Sequence, residues 1–197
     1  MKALPEDILE DLKALPGADL EQVRAFVAFL RWRASEAGGS APDETARLWH
    51  YNFLESFANA DVRTSRDAAG AEVKIAEARA GGELRPALWQ HPPIQGESEV
   101  EYHVPVPANL RDVRLRFAIG IRDGAQATDR LVAFRVRIDG WQIWSRAAWP
   151  VSWETVELVL PYRAGDVARV VFATDGLGDH QWAWAAWAEP MLIGKLQ

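Results

Sequence analysis

Between residues 100 and 172 apolar side chains recur at every second position in five separate runs, and no other feature limits the fold of this chain so tightly. Val100, Tyr102, Val104 and Val106 alternate with Glu101 and His103. Val113, Leu115, Phe117, Ile119 and Ile121 alternate with Arg114, Arg116 and Gly120. Val132, Phe134, Val136 and Ile138 repeat the pattern opposite Arg135 and Arg137, and shorter runs follow at Val156, Leu158 and Leu160 and at Ala168, Val170 and Phe172. In an extended chain successive side chains point to opposite faces, so each run predicts a strand with one face buried. Asp139-Gly140 stands between the Val132 run and the segment from Trp141 to Trp144, which predicts a two-residue hairpin turn with positive φ. Six or more short alternating strands with no helices between them predict an antiparallel β-sandwich, with a jelly roll as its natural variety.

The first third has a different period. Ile8, Leu9, Leu12 and Leu15 recur at helical spacing after Pro5, and Pro16-Gly17 ends the run. Asp19 and Gln22 form a capping-box-like start, and Val23, Phe26, Val27 and Leu30 then make one apolar stripe, widened by Phe29 and Trp32. A helix with that much apolar surface must pack on something. The expectation is therefore mainly β, a jelly-roll-like sandwich with an N-terminal helical extension: helices over 1–36, a Gly- and Ser-containing linker over 37–47, and the sandwich domain over 48–197. Trp49, Phe53 and Phe57 fall at i, i+4 and i+8 and predict one more helical face, although Trp49, Tyr51 and Phe53 also alternate as a strand would.

Composition excludes several function classes. The chain has 22 basic and 28 acidic residues. Residues 1–82 hold 10 and 14 of them and residues 83–197 hold 12 and 14, so no basic cluster suits a nucleic acid. With no cysteine, disulfides, thiolate metal sites and Cys nucleophiles are excluded. No apolar run approaches the ~20 residues of a membrane span, and the first residues lack the apolar stretch of a signal peptide. The sequence as it stands reads as cytoplasmic.

Four segments carry a family resemblance: RPALWQHPP at 85–93, VEYHVPVP at 100–107, FAIGIRDG at 117–124 and TDGLGDHQWAWAAWAEPML at 174–192. Over about residues 70–194 the chain resembles the NPCBM-like class of carbohydrate-binding-module-like jelly rolls, often appended to bacterial glycan-active or cell-envelope proteins. The closing pattern, an acidic Gly-rich loop followed by a Trp-rich strand and Trp-Ala-Glu-Pro, is its most specific piece. The resemblance implies a sandwich fold, glycan recognition without catalysis, and a structural calcium ion. Separately, LPEDILEDLKAL with VRAFVAFLRWR is similar to short helical pieces of bacterial antitoxin-like chains.

Eight of the ten tryptophans lie after residue 80, and they supply the candidate ligand groups. Sugars stack an apolar face on exposed aromatic rings while a few polar groups meet the hydroxyls. Trp141, Trp144, Trp149 and Trp153, on the predicted hairpin and the loop after it, could form such a platform, and core packing is the competing role of each. Trp182 and Trp184 share one face while Trp187 takes the other, so one set should be buried. Trp182 and His180 complete the ligand set, with Asp179 as a further hydrogen-bonding group. Asp175 and Asp179, with Gly176 and Gly178, could hold Ca²⁺, but the commoner use of two acids and two glycines is a tight turn. The four histidines, His50, His91, His103 and His180, lack zinc-ligand spacing. No nucleophile elbow, phosphate-binding loop or dinucleotide fingerprint is present, so no catalytic residue and no cofactor is expected. Arg114, Arg116, Arg135 and Arg137 fall on solvent-facing positions; as neighbours in one sheet they could instead meet an anionic sugar or an acidic surface.

Two functions follow. The first is a non-catalytic binding protein on a carbohydrate-binding-module-like sandwich, with a glycan or protein partner. The second is a cytoplasmic assembly or adaptor protein whose helices over residues 4–34 dock on a partner or form a homo-oligomer.

Overall fold

The computed structural model describes Lys13 and residues 47–64, 72–126, 130–160 and 167–196. All but Lys13 belong to Thr45–Gln197, the second of two units into which the chain divides. The helices expected before residue 37, the linker up to residue 46, the antitoxin-like resemblance and any docking through residues 4–34 lie outside the described residues. Among the described residues no helix is long and apolar enough to cross a membrane.

Among the described residues eleven strands form two antiparallel sheets. They are β1 (Arg47–Asn52), β2 (Asp61–Thr64), β3 (Val73–Ala80), β4 (Glu83–Gln90), β5 (Glu97–Pro105), β6 (Leu110–Ile121), β7 (Val132–Ile138), β8 (Trp141–Ala148), β9 (Glu154–Val159), β10 (Val167–Asp175) and β11 (Ala185–Leu196). One sheet has the order β3-β4-β11-β6-β9, with β1 also paired to β11, and the other β2-β5-β10-β7-β8. The five alternating runs lie on β5, β6, β7, β9 and β10 and their immediate ends. Their apolar members in β5, β6, β7 and β10 are buried between the sheets, while Val156 and Leu158 of β9 are half-buried. The Asp139-Gly140 turn has φ of 51° and 86° at its two residues, the positive pair that a two-residue hairpin requires.

The helical reading of Trp49 to Phe57 is corrected. Arg47–Asn52 is a strand in register with β11 from Arg47↔Leu196 to Asn52↔Met191, and only Phe57–Asn59 forms a short 3₁₀ turn. The alternation Trp49, Tyr51, Phe53 is the operative period, because pairing with β11 supplies hydrogen bonds that an isolated short helix would need to find alone. Asn52 ends the strand, its Oδ1 accepting from the Leu54 amide at 2.9 Å. Phe53 then turns fully inward, edge-on to Tyr102 at 4.9 Å and Phe172 at 5.0 Å. Space for β1 beside β11 begins past a bulge: Ala188 pairs with Ala118 but Met191 with Arg116, one residue being extra around Pro190, which has no N–H to give the ladder.

The core is aromatic and carries one polar hub. Trp187, fully buried, meets Phe117, Phe134 and Phe172 edge-on at ring distances of 5.3, 5.3 and 5.1 Å. Its indole Nε1 donates to Gln90 Oε1 at 2.8 Å. Gln90 Nε2 donates to the Ser98 and Phe172 carbonyls at 2.7 and 2.9 Å, and Thr174 Oγ1 donates to the Gln90 carbonyl at 2.8 Å. One buried amide thus joins β4 of one sheet to β5 and β10 of the other.

Both outer faces are covered rather than bare. On the first sheet Ala78, Ala87, Ala118, Ala186 and Ala188 form a second small core under Trp89 and Trp153. The tip of the β3–β4 hairpin folds over it, held by the Gly81 and Gly82 amides donating to the Asp123 carboxylate at 2.9 and 3.0 Å. Trp153 lies over Gly120 and donates from Nε1 to the Glu83 carbonyl at 2.9 Å. A Cβ at Gly120 would sit 2.7 Å from that ring and 3.0 Å from the Ala80 methyl. Gly120→Ala is therefore expected to cost about 1–3 kcal/mol by overpacking and to release the indole, read as a red shift in tryptophan emission; an unchanged spectrum and melting curve would refute this packing.

On the second sheet Arg135 and Arg137 do not take the solvated positions expected of them. Arg135 pairs with Glu97 and with Asp175 at 3.0 Å, and Arg137 pairs with Glu97 and with Glu99 at 2.7 Å. The ladder runs from β7 across β10 to β5 and closes over Ala173, which is fully buried. Arg114 and Arg116 are exposed on the other sheet, so the four arginines share no surface.

Candidate functional site

Strand register decides which loops meet. Asp175 pairs with Glu97 and Ala133, Ala148 with Val132, and Ala185 with Ile121. The β4–β5, β6–β7, β8–β9 and β10–β11 connections therefore gather at one end of the sandwich. The β7–β8 hairpin lies at the other end.

At the loop-rich end Trp89, Trp182, Trp184, Arg122, His91 and His180 form a cluster. The Arg122 guanidinium stacks on the Trp89 ring at 3.5 Å and reaches the Trp184 ring at 5.2 Å, and Lys74 Nζ lies 4.5 Å from Trp89. Cation–π contacts of this kind are worth about 0.5–2 kcal/mol, more as water is excluded. The Arg122 amide donates to the Trp184 carbonyl at 3.0 Å, tying the end of β6 to the β10–β11 loop. Burial lowers the Arg122 pKa, against the opposing pull of Glu72. Neither Trp89 Nε1 nor Arg122 Nε has a hydrogen-bond partner among the described residues.

Trp182 and Trp184 stand next to one another, rings 5.4 Å apart and tilted by 46°, both half-buried. They precede β11 rather than lying on it, while Trp187 points into the core. Trp182 has φ of 61°, a left-handed conformation that costs a bulky residue about 1–2 kcal/mol. Three short backbone hydrogen bonds hold the turn, from Ala183 to His180, Trp184 to Trp182 and Ala185 to Ala183. The strained backbone presents two indoles side by side at the rim of the loops.

His91 and His180 meet edge-on at 6.1 Å. Burial holds His91 below the ordinary imidazole value, with His180 and Arg122 adding to the effect and a hydrogen bond to the Ala183 backbone opposing it. The folded value is the lower one, so the unfolded chain binds the proton more tightly. This contribution to stability is full above the ordinary value of about 6.5 and is lost as pH falls below it. Thermal melts between pH 8 and pH 5 are expected to decline below about pH 6.5, and less so in His91→Gln; an equal decline in the variant excludes His91 as the source.

The other sequence-predicted residues are dispersed. Trp141 is exposed near the β7–β8 turn at the far end, and Trp144 packs into the core against Phe117 at 5.1 Å. Trp149 packs against the core from the β8–β9 loop, and Trp153 covers the outer face of the first sheet. Only Trp182 and His180 of the expected ligand set lie together. Asp175 Oδ1 accepts from the Leu177 amide at 2.8 Å and Asp179 Oδ1 from the Gln181 amide at 2.9 Å, while their second oxygens meet Arg135 and Arg130. Each carboxylate thus closes a turn and pairs with an arginine. Gly178 supplies the positive φ, whereas Gly176 is needed for close approach, since a Cβ there would lie 2.7 Å from the Asp179 carbonyl.

Trp89, Arg122 and His91 were missed by residue-level reasoning. Trp89 and His91 flank Gln90 within RPALWQHPP, and Arg122 ends the alternating run of β6. Arg122 keeps the alternation of β6 as the polar position after Ile121, so the period carried no signal there, and Asp123-Gly124 marks only the start of a loop.

No protein-family model matches the chain, and no curated protein matches it in sequence. Among solved structures the chain is similar to the CBM51 module from Clostridium perfringens GH95 in complex with methyl-galactose, at 15% identity and a TM-score of 0.48, covering 73% of this chain and 99% of that one. It is also similar to TmCBM61 in complex with beta-1,4-galactotriose, at 13% identity, a TM-score of 0.46 and coverage of 74% and 99%. A family 35 carbohydrate binding module from Clostridium thermocellum matches at 14% identity and a TM-score of 0.41, covering 75% of this chain and 98% of that one.

Proposed function

We propose that the sandwich is a non-catalytic jelly-roll module of the NPCBM-like kind that binds a glycan at its loop-rich end, on the indoles of Trp182 and Trp184. The observation that carries this reading is the backbone of Trp182, whose left-handed φ of 61° holds a large ring at the rim beside a second one. Strain at a half-buried aromatic on the rim is kept where the ring has work outside the core. A pyranose stacks its C–H face on such rings, and His180 beside them offers ring nitrogens to hydroxyls.

The carboxylates support binding rather than hydrolysis. Sugar hydrolysis needs two carboxyl groups about 5–9.5 Å apart, one of them free to give a proton. At the loop-rich end Glu72 pairs with Lys74, Glu97 with Arg135 and Arg137, Asp123 with the Gly81 and Gly82 amides, Asp175 with Arg135, and Asp179 with Arg130. Each is already committed to a structural partner.

The test is a glycan array followed by calorimetric titration of the hits with the full chain. Saturable one-to-one binding with quenched tryptophan emission is expected. No binding to any glycan on a broad array overturns the reading.

A further inference from the structure

A second constellation lies away from the loops, on the outer face of the second sheet where β2 forms its edge. Asp61 of β2 pairs in register with Glu101 of β5, and His103 follows two residues on, so all three side chains rise from the same face. One ligating atom from each lies within 4.8 Å of the others. His103 Nε2 is 3.2 Å from Glu101 Oε1 and 3.5 Å from Asp61 Oδ2.

These separations are long for ion-pair hydrogen bonds, which run about 2.7–2.9 Å for N⁺–H···O⁻. Both lie close to the ligand–ligand edges of a metal polyhedron. Four ligands about 2.0–2.1 Å from a tetrahedral ion stand roughly 3.3–3.4 Å from one another. Arg63 lies 3.6 Å from Glu101 Oε2, the oxygen turned away from the imidazole, and so orients the carboxylate with Oε1 toward His103. Glu101 itself is buried, with 8% of its surface exposed. Asp61 and Glu101 bring two negative charges against the one positive charge of Arg63, and a divalent ion held by the three ligand atoms would balance the buried carboxylate.

We propose that Asp61, Glu101 and His103 bind a divalent transition metal of the zinc class, with His103 Nε2, Glu101 Oε1 and Asp61 Oδ2 as ligands and at least one position left to solvent. One imidazole and two carboxylates suit Zn²⁺ better than Ca²⁺, which takes six to eight oxygens. All three ligands stand on paired strands, so the site is largely formed before the ion arrives. The ion staples β2, a four-residue edge strand whose one partner among the described strands is β5, to the body of the sheet. Metal bound to the folded state alone raises stability by mass action.

The experiment is calorimetric titration of the full chain with ZnCl₂, together with thermal melts in ZnCl₂, CaCl₂ and EDTA. One Zn²⁺ per chain and a zinc-dependent rise in melting temperature are expected, with neither in His103→Ala nor in Asp61→Asn. Both positions are exposed at the edge, so both variants should fold, as their melts in EDTA will confirm. His50→Ala, removing an exposed histidine on β1, should bind zinc as the parent chain does. The proposal is overturned if zinc fails to bind saturably, if His103→Ala keeps the affinity, or if Ca²⁺ produces the same rise.

Discussion

Gln90→Leu is expected to lower the melting temperature by roughly 10 °C, the largest loss of stability from any single side chain outside the aromatic core. The leucine fills similar space but abandons three partners at once: the Ser98 and Phe172 carbonyls and the Trp187 indole N–H. A buried polar group left unpaired costs about 1–3 kcal/mol, so the sum is about 4 kcal/mol or more. Trp187→Phe isolates one part of this. It keeps a ring in the core and leaves only Gln90 Oε1 without its donor, for about 1–3 kcal/mol plus the packing of the lost ring. The double variant should lose less than the sum of the two, because the indole N–H that Gln90→Leu would strand is gone. Strictly additive melts would show that Gln90 and Trp187 are not coupled, and a Gln90→Leu variant as stable as the parent would show that the hub contributes nothing.

The second large effect is on binding. Trp182→Gly is expected to weaken glycan binding at least thirtyfold, about 2 kcal/mol, the size of an aromatic hot spot. Its melting temperature should stay level or rise, because glycine adopts φ of 61° without the steric cost that tryptophan bears. Loss of function with gain of stability is the signature of a side chain held for a ligand. Trp184→Ala should also lose binding, but with a lower melting temperature, since Trp184 packs on Arg122 and close to Gly124. Measuring both variants by titration and calorimetry separates the roles. If Trp182→Gly binds as the parent does, the indole pair is not the platform; if it melts much lower, Trp182 serves packing.

The strands were legible because alternation is local. Val132, Phe134, Val136 and Ile138 announce their burial without reference to any partner, and Asp139-Gly140 announces its turn by the φ it needs. Trp49 to Phe57 misled because two periods fit the same residues, and the choice was made by the free second half of β11, more than 130 residues away. The candidate site was legible only at Trp182 and His180. Trp144, a proposed platform residue, packs into the core because a bulge between Val136 and Arg137 sets it opposite Val136 on the inner face.

Residue order alone thus determined the period, the sandwich class and the Asp139-Gly140 hairpin, since each depends on neighbours within a few positions. Tertiary structure alone decided that Gln90 would bridge the sheets, that Arg135 and Arg137 would lean across β10, that Trp89 and Arg122 would join Trp184, and that Asp61 would meet Glu101 and His103. Each of these depends on pairing between segments tens of residues apart. A register shift of one residue would turn every side chain of a strand to the other face, and register is set by the packed whole rather than by any one strand.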